Sequence, residues 1–121
     1  MNKPIIAIPL GDPNGIGPEI VVKALNNKDV YNWCNPVVIG TESIIKNALR
    51  ICRLDLKIEI TDNPTLASYK HGIITLINED CVDIADLKIG TVQGIAGKAS
   101  YIYIERAVKL ALDKKVDALA T

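Results

Sequence analysis

The stretch Pro4–Ile20, PIIAIPLGDPNGIGPEI, decides how the rest of the chain is read, because it sets a buried strand, a tight turn and a helix end to end. Pro4 to Leu10 is a nearly continuous aliphatic run. A strand with one wet face shows a polar residue at every second position; an unbroken apolar run marks a strand covered on both faces, as in parallel sheets. Pro9 has no backbone donor, so it belongs at the strand's end or where the neighbouring strand has stopped pairing. Gly11, Gly15 and Gly17 follow. Glycine tolerates positive φ and close backbone approach, and both are expected of Gly15 and Gly17. Pro18 presets the first helical turn. A helix is therefore expected over Pro18 to Asn26, with Ile20, Val21, Ala24 and Leu25 as its apolar residues.

Outward from this unit the pattern repeats. Pro36 opens a second strand, Val37-Val38-Ile39, closed by Gly40. Thr41 is placed to cap a second helix whose apolar face is Ile44, Ile45, Ala48, Leu49 and Cys52. Leu56 to Ile60 alternates apolar and charged residues, which predicts a half-exposed strand. Asn63 as cap and Pro64 at the first helical position start a short helix ending at Gly72, with His71 at its end. Ile73 to Ile77 is another aliphatic strand, and residues 78–95 read as irregular. Lys98 to Lys115 predicts a long amphipathic helix with Ala99, Ile102, Tyr103, Ala107, Leu110 and Ala111 buried. Lys114 and Lys115 are expected in its last turn, where cations suit the helix dipole. Val116 to Thr121 begins one more strand. Alternating strands and helices argue for an α/β fold, a mainly parallel sheet with helices on both faces. In such sheets ligands sit outside the carboxyl ends of the strands. The chain stops at the end of one of these strands, so it reads as an incomplete domain, a piece of a larger one.

Composition narrows the class. The chain has 121 residues, 49% hydrophobic, with 14 Lys and Arg against 14 Asp and Glu. A net charge of zero gives no electrostatic reason to expect nucleic acid or an anionic membrane as partner. Cys34, Cys52 and Cys81 are odd in number, far apart and without a CxxC pair. That suits small buried or half-buried thiols in a reducing compartment better than a disulfide framework. The apolar run after Lys3 is too short for a signal segment or a membrane span, so a cytoplasmic location is expected.

The opening turn is G-x-x-x-G-x-G. It is not the dinucleotide fingerprint, because Ile20 stands where the third glycine would be, and no Gly-Lys-Ser/Thr makes it a phosphate-binding loop. Backbone N–H groups under a helix N-terminus favour anions, but Asp12 and Glu19 flank the turn. Two carboxylates suit hydroxyl or amine donors, such as a ribose or an adenine, better than phosphate. The turn could equally be structural, with Glu19 simply favouring the first helical turn. His71, the single histidine, cannot make a metal site.

GDPNGIGPEI after an aliphatic strand resembles the opening signature of the 4-hydroxythreonine-4-phosphate dehydrogenase family. The segment GTVQGIAGKASYIYIERAVKLALDKKVDALAT is similar to that family's Gly-rich loop, long helix and following strand. The isocitrate and isopropylmalate dehydrogenases open on a shorter G-D-G-I-G-P-E and share the fold. The extra Pro13-Asn14 favours the first family. The resemblance implies residues 1–121 as the N-terminal portion of a two-domain dehydrogenase of isocitrate/isopropylmalate dehydrogenase-like fold. It implies NAD-dependent oxidation of a phosphorylated hydroxy acid, 4-phosphohydroxy-L-threonine, with loss of CO₂, on the way to pyridoxal phosphate. It also implies a divalent metal (Zn, Mg or Co) held by histidines, a Lewis-acid role, and a homodimer. The metal ligands and catalytic lysine fall beyond position 121, so no catalytic or metal residue is expected in this chain and the chain alone is expected to be inactive. What remains here is a cofactor-side loop: Gly11, Asp12, Asn14, Gly15 and Ile16, with Ile16 packing on the adenine and Asp12 as the polar residue that matters most. Two positions depart from the family pattern, Gln93 where a small residue is common and Pro9 where Thr is common. Two alternatives stand beside this reading: a sister enzyme acting on 4-phosphothreonate or 4-phosphoerythronate, and a non-catalytic α/β stub.

Overall fold

The computed structural model describes residues 3–121. Five strands form one sheet in the order β3-β4-β2-β1-β5. They are β1 (Ile5–Pro9), β2 (Asn35–Gly40), β3 (Lys57–Ile60), β4 (Ile73–Asn78) and β5 (Ala118–Leu119). All four pairings are parallel, with Ala7 beside Val37, Val38 beside Leu76, Ile58 beside Ile74 and Ala7 beside Leu119. The helices are α1 (Gly17–Leu25), α2 (Val30–Trp33), α3 (Glu42–Cys52) and α4 (Gly94–Leu112). The connections through α1 and α3 run one way across the sheet, and α1 packs on α3. The connection through α4 runs the other way, and α4 packs on β1, β2 and β5. Right-handed crossovers then place α1 and α3 on one face and α4 on the other.

The core follows from the aliphatic strands. Ala7, Val37, Val38, Ile39, Ile74 and Leu76 are fully buried, and each large aliphatic side chain so placed contributes about 1.5–3 kcal/mol relative to exposure. Pro9 ends β1, as its missing donor requires, and Leu10 N still donates to Ile39 O at 2.9 Å. β3 lies at the sheet edge, half-exposed as its alternation predicts.

Several elements differ from expectation. Helix α1 buries Pro18, Val21, Val22 and Leu25, while Ile20 and Ala24 face outward. The run Ile20-Val21-Val22 fits more than one helical face, and packing against α3 selects the i, i+3, i+4, i+7 set. The helix from Asn63 shrinks to a single 3₁₀ turn, Pro64–Leu66, with Asn63 Oδ1 accepting from Thr65 N at 3.1 Å. His71 therefore sits in a turn, its Nε2 2.8 Å from Asn26 O. The four-residue α2 has no periodicity to betray it. Helix α4 begins at Gly94 rather than Lys98, and ends at Leu112. Lys114 and Lys115 lie past that end. Lys114 takes φ +59 and Lys115 N bonds Leu110 O at 2.8 Å, which closes the last carbonyls without a glycine. Thr41 precedes α3 but does not cap it. Asn78 Oδ1 takes the Glu42 amide instead, at 2.9 Å.

The outer side of α4 keeps Tyr101, Ile104, Val108 and Leu112 exposed. Among the described residues, no helix is long and apolar enough to cross a membrane. The three cysteines are free; Cys34 and Cys52 are half-buried and Cys81 is exposed rather than covered.

Candidate functional site

The loop from Leu10 to Ile16 leaves the carboxyl end of β1, where parallel sheets place ligands. Gly11 turns the chain with φ +81, a conformation that costs other residues roughly 1–2 kcal/mol. Asp12 then organises the turn. Its Oδ1 accepts from Asn14 N at 2.8 Å and its carbonyl accepts from Gly15 N at 2.9 Å. This is the side-chain-to-backbone bond that makes Asp a turn residue.

The two later glycines correct the expectation of positive φ, because neither Gly15 nor Gly17 adopts it. Gly17 is held by close approach alone: a Cβ there would stand 2.6 Å from Leu10 O. Gly15 has room, its nearest contact being Asp12 O at 3.4 Å.

The five loop residues divide between surface and interior. Asp12, Gly15 and Ile16 face solvent, Ile16 being 70% exposed, and Gly11 is half-buried. Asn14 is 3% exposed. Its Nδ2 donates to Gln93 Oε1 at 2.7 Å and its carbonyl accepts from Gly90 N at 2.9 Å. The same Gln93 oxygen accepts from Lys88 N at 2.7 Å. No local pattern signals this tie, since Asn14 and Gln93 are 79 residues apart. Glu19 lies in the first turn of α1, where its charge favours the helix dipole.

Beside the loop, an open groove of about 400 Å³ runs between α1 and the carboxyl ends of β1 and β5, lined by Ile8, Gly11, Gly17, Ile20, Ala24 and Ala120. A larger hollow of about 860 Å³ lies at the amino ends, by Lys3, Asn35, Tyr69 and Asp117. The smaller groove is the better ligand candidate, because strand carboxyl ends put open turns and helix N-termini around it.

The next turn along the sheet is of another kind. Thr41 is buried; its hydroxyl donates to Glu79 O at 2.6 Å and lies 2.6 Å from the Tyr103 hydroxyl. Burial pushes the Tyr103 phenol well above the ordinary tyrosine range, so it stays neutral. Among the described residues no group of three or more His, Cys, Asp or Glu could hold a metal ion. The residues present do not fit a metal.

Residues 32–121 match the family described as "Pyridoxal phosphate biosynthetic protein PdxA". A protein of Clostridium botulinum named "Putative D-threonate 4-phosphate dehydrogenase" is 48% identical over 120 residues, covering 99% of this chain and 36% of the relative. A protein of the same name from Halalkalibacterium halodurans is 51% identical over 119 residues, covering 98% and 36%. Among solved structures, a 4-hydroxythreonine-4-phosphate dehydrogenase from Burkholderia phymatum superposes with a TM-score of 0.93 at 39% identity, covering 98% of this chain and 36% of that one. The chain thus spans about a third of the length of the relatives it matches.

Proposed function

The chain belongs to the pyridoxal phosphate biosynthetic protein PdxA family, of isocitrate dehydrogenase-like α/β fold, and from that premise we propose that it is the cofactor-side portion of an NAD-dependent dehydrogenase of a 4-phosphorylated four-carbon hydroxy acid. The observation that carries this is the family match over residues 32–121. The exposed turn at the carboxyl end of β1 supports it. Residues 1–121 are then part of a larger catalytic unit whose metal ligands and catalytic lysine are not among these residues. The partners proposed with it are the phosphorylated substrate and a second copy in a homodimer.

The loop can serve a dinucleotide in a definite way. Asp12 spends one carboxylate oxygen on Asn14 N; the other is free to accept from a ribose hydroxyl or an adenine amine. Ile16, exposed at the start of α1, offers an apolar surface to a flat base. Gly15 keeps the approach clear of side chain. NAD would supply the hydride acceptor, and oxidation of the substrate alcohol β to the carboxylate would give a β-keto acid able to lose CO₂.

Two substrates compete. The solved neighbour is named for 4-hydroxythreonine-4-phosphate. The two bacterial relatives are more similar, at 48% and 51% identity, and are named for D-threonate 4-phosphate. That difference favours D-threonate 4-phosphate. The pair differs at one substituent, hydroxyl against ammonium, and a site that hydrogen-bonds one rejects the other strongly.

The test is kinetic. In the intact enzyme, kcat/KM should favour D-threonate 4-phosphate over 4-phosphohydroxy-L-threonine; the reverse order restores the hydroxythreonine reading, and no NADH from either removes the dehydrogenase reading. Asp12→Ala should raise KM for NAD about ten- to a hundredfold, the worth of a hydrogen bond to a charged acceptor. An unchanged KM for NAD would make the loop a structural turn. The 121-residue chain alone is expected to make no NADH.

A further inference from the structure

We infer that Gln93 is a positioning residue that fixes the Gly11–Ile16 loop from behind, through Asn14; this rests on the reading of that loop as the dinucleotide side of the site. Gln93 lies just before α4, in a different part of the sequence from the loop. Its Oε1 gathers two short bonds, from Asn14 Nδ2 and from Lys88 N, both 2.7 Å. Its Nε2 reaches Asp86 O only at 3.4 Å, so the acceptor end does the holding. Asn14 O takes Gly90 N at 2.9 Å. The loop and residues 86–93 are therefore tied at two points on Asn14, and Lys88 is gathered to the same glutamine.

Asn14 is what makes this tie matter. It is 3% exposed, and its Oδ1 is buried with no partner among the described residues. Its side-chain amide is already half-satisfied. Without Gln93 both ends of that amide would be buried and unpaired, so the loop would have to open to let water in. Opening reaches the surface directly, because Asn14 N is the donor that orients the Asp12 carboxylate at 2.8 Å. The path is short: Gln93 Oε1 holds the Asn14 side chain, and the Asn14 backbone aims Asp12. A small residue at position 93 could not make the first link.

Two variants separate this role from general structure. Gln93→Met keeps length and volume and removes the acceptor. Gln93→Glu keeps the acceptor for Asn14 Nδ2 and Lys88 N, and replaces the donor of the long Asp86 contact with a charged oxygen. In the intact enzyme, hydrogen exchange of amides in residues 10–18 and 86–94 would be followed together with KM for NAD, KM for the phosphorylated substrate and kcat. With Met, exchange in both segments and KM for NAD should rise roughly tenfold, while substrate KM and the exchange of amides around Tyr103 hold. With Glu, both effects should be rescued. Unchanged exchange in the Met variant overturns the inference. So does faster exchange with an unchanged KM for NAD, if Asp12→Ala does raise that KM. If Asp12→Ala also leaves KM for NAD unmoved, the cofactor reading falls, and Gln93's role toward the cofactor falls with it.

Discussion

The turns that leave β1 and β2 stand side by side at one end of the sheet, and they are built in opposite ways. The turn after β2 is a single residue, Thr41, buried and locked by its hydroxyl to Glu79 O and Tyr103. Even its helix is capped from another strand, by Asn78. The turn after β1 is longer and buries only its anchors, Leu10, Pro13 and Asn14, leaving Asp12, Gly15 and Ile16 in solvent. The first spends its polar groups on the protein. The second fixes itself with a few and holds the rest outward. A strand-to-helix turn becomes a candidate site when its internal bonds are enough to shape it and exposed groups are left over.

That contrast can be broken by substitution. The largest effect is expected at Tyr103, fully buried against the β2 turn. Tyr103→Ala should cost about 3–5 kcal/mol in a denaturant titration, and a loss under 1 kcal/mol would show that the β2 turn is not the rigid partner. Next is Gly17→Ala, whose Cβ would meet Leu10 O at 2.6 Å; overpacking of this kind costs about 1–3 kcal/mol, read as a lower thermal midpoint. Thr41→Val keeps the shape but leaves the Tyr103 hydroxyl without its Thr41 partner, a loss of about 1–2 kcal/mol. It should leave KM for NAD in the intact enzyme unchanged, and a raised KM would join the two turns into one site. The smallest effect belongs to Gly15→Ala, where φ is ordinary and the nearest atom is 3.4 Å away. Its stability should stay within about 0.5 kcal/mol of the parent. A larger loss would mean that the exposed turn is as tightly determined as the buried one.

Much of this arrangement is legible in the amino-acid sequence alone. Unbroken aliphatic runs gave β1, β2 and β4, because a parallel strand covered on both faces has no polar positions to hide it. Helix α3 was equally plain, its stripe Ile44, Ile45, Ala48 and Leu49 buried as its period demands. What escaped was decided by partners distant in sequence. Ile20 and Val22 are equally apolar, and only α3 determines which is covered. Gly94 and Gly97 look like loop, yet packing of Ala96, Ala99 and Tyr103 carries α4 back to Gly94. In the candidate site, the glycines and Asp12 announced a tight polar turn. The burial of Asn14 and the role of Gln93 could not be heard locally, since one hydrogen bond across 79 residues creates both. The departure of Gln93 from the small residue common in the family was visible, but not its meaning.

The short pairing of β5 bears on how a growing chain survives its own synthesis. β1 lies between β2 and β5, yet its partners are made at very different times. β2 ends at Gly40, whereas β5 begins at Ala118 and Asp117 must return across 112 residues to reach Ile5 N. At 5–20 residues per second, the nascent protein carries β1 with one flank unpaired for roughly 4–16 s. Over that interval an aliphatic strand offers free N–H and C=O groups to any neighbouring chain. Ribosome-bound chains halted near residue 100 should accordingly be the ones most captured by chaperones, and release should follow once residues 117–119 have emerged.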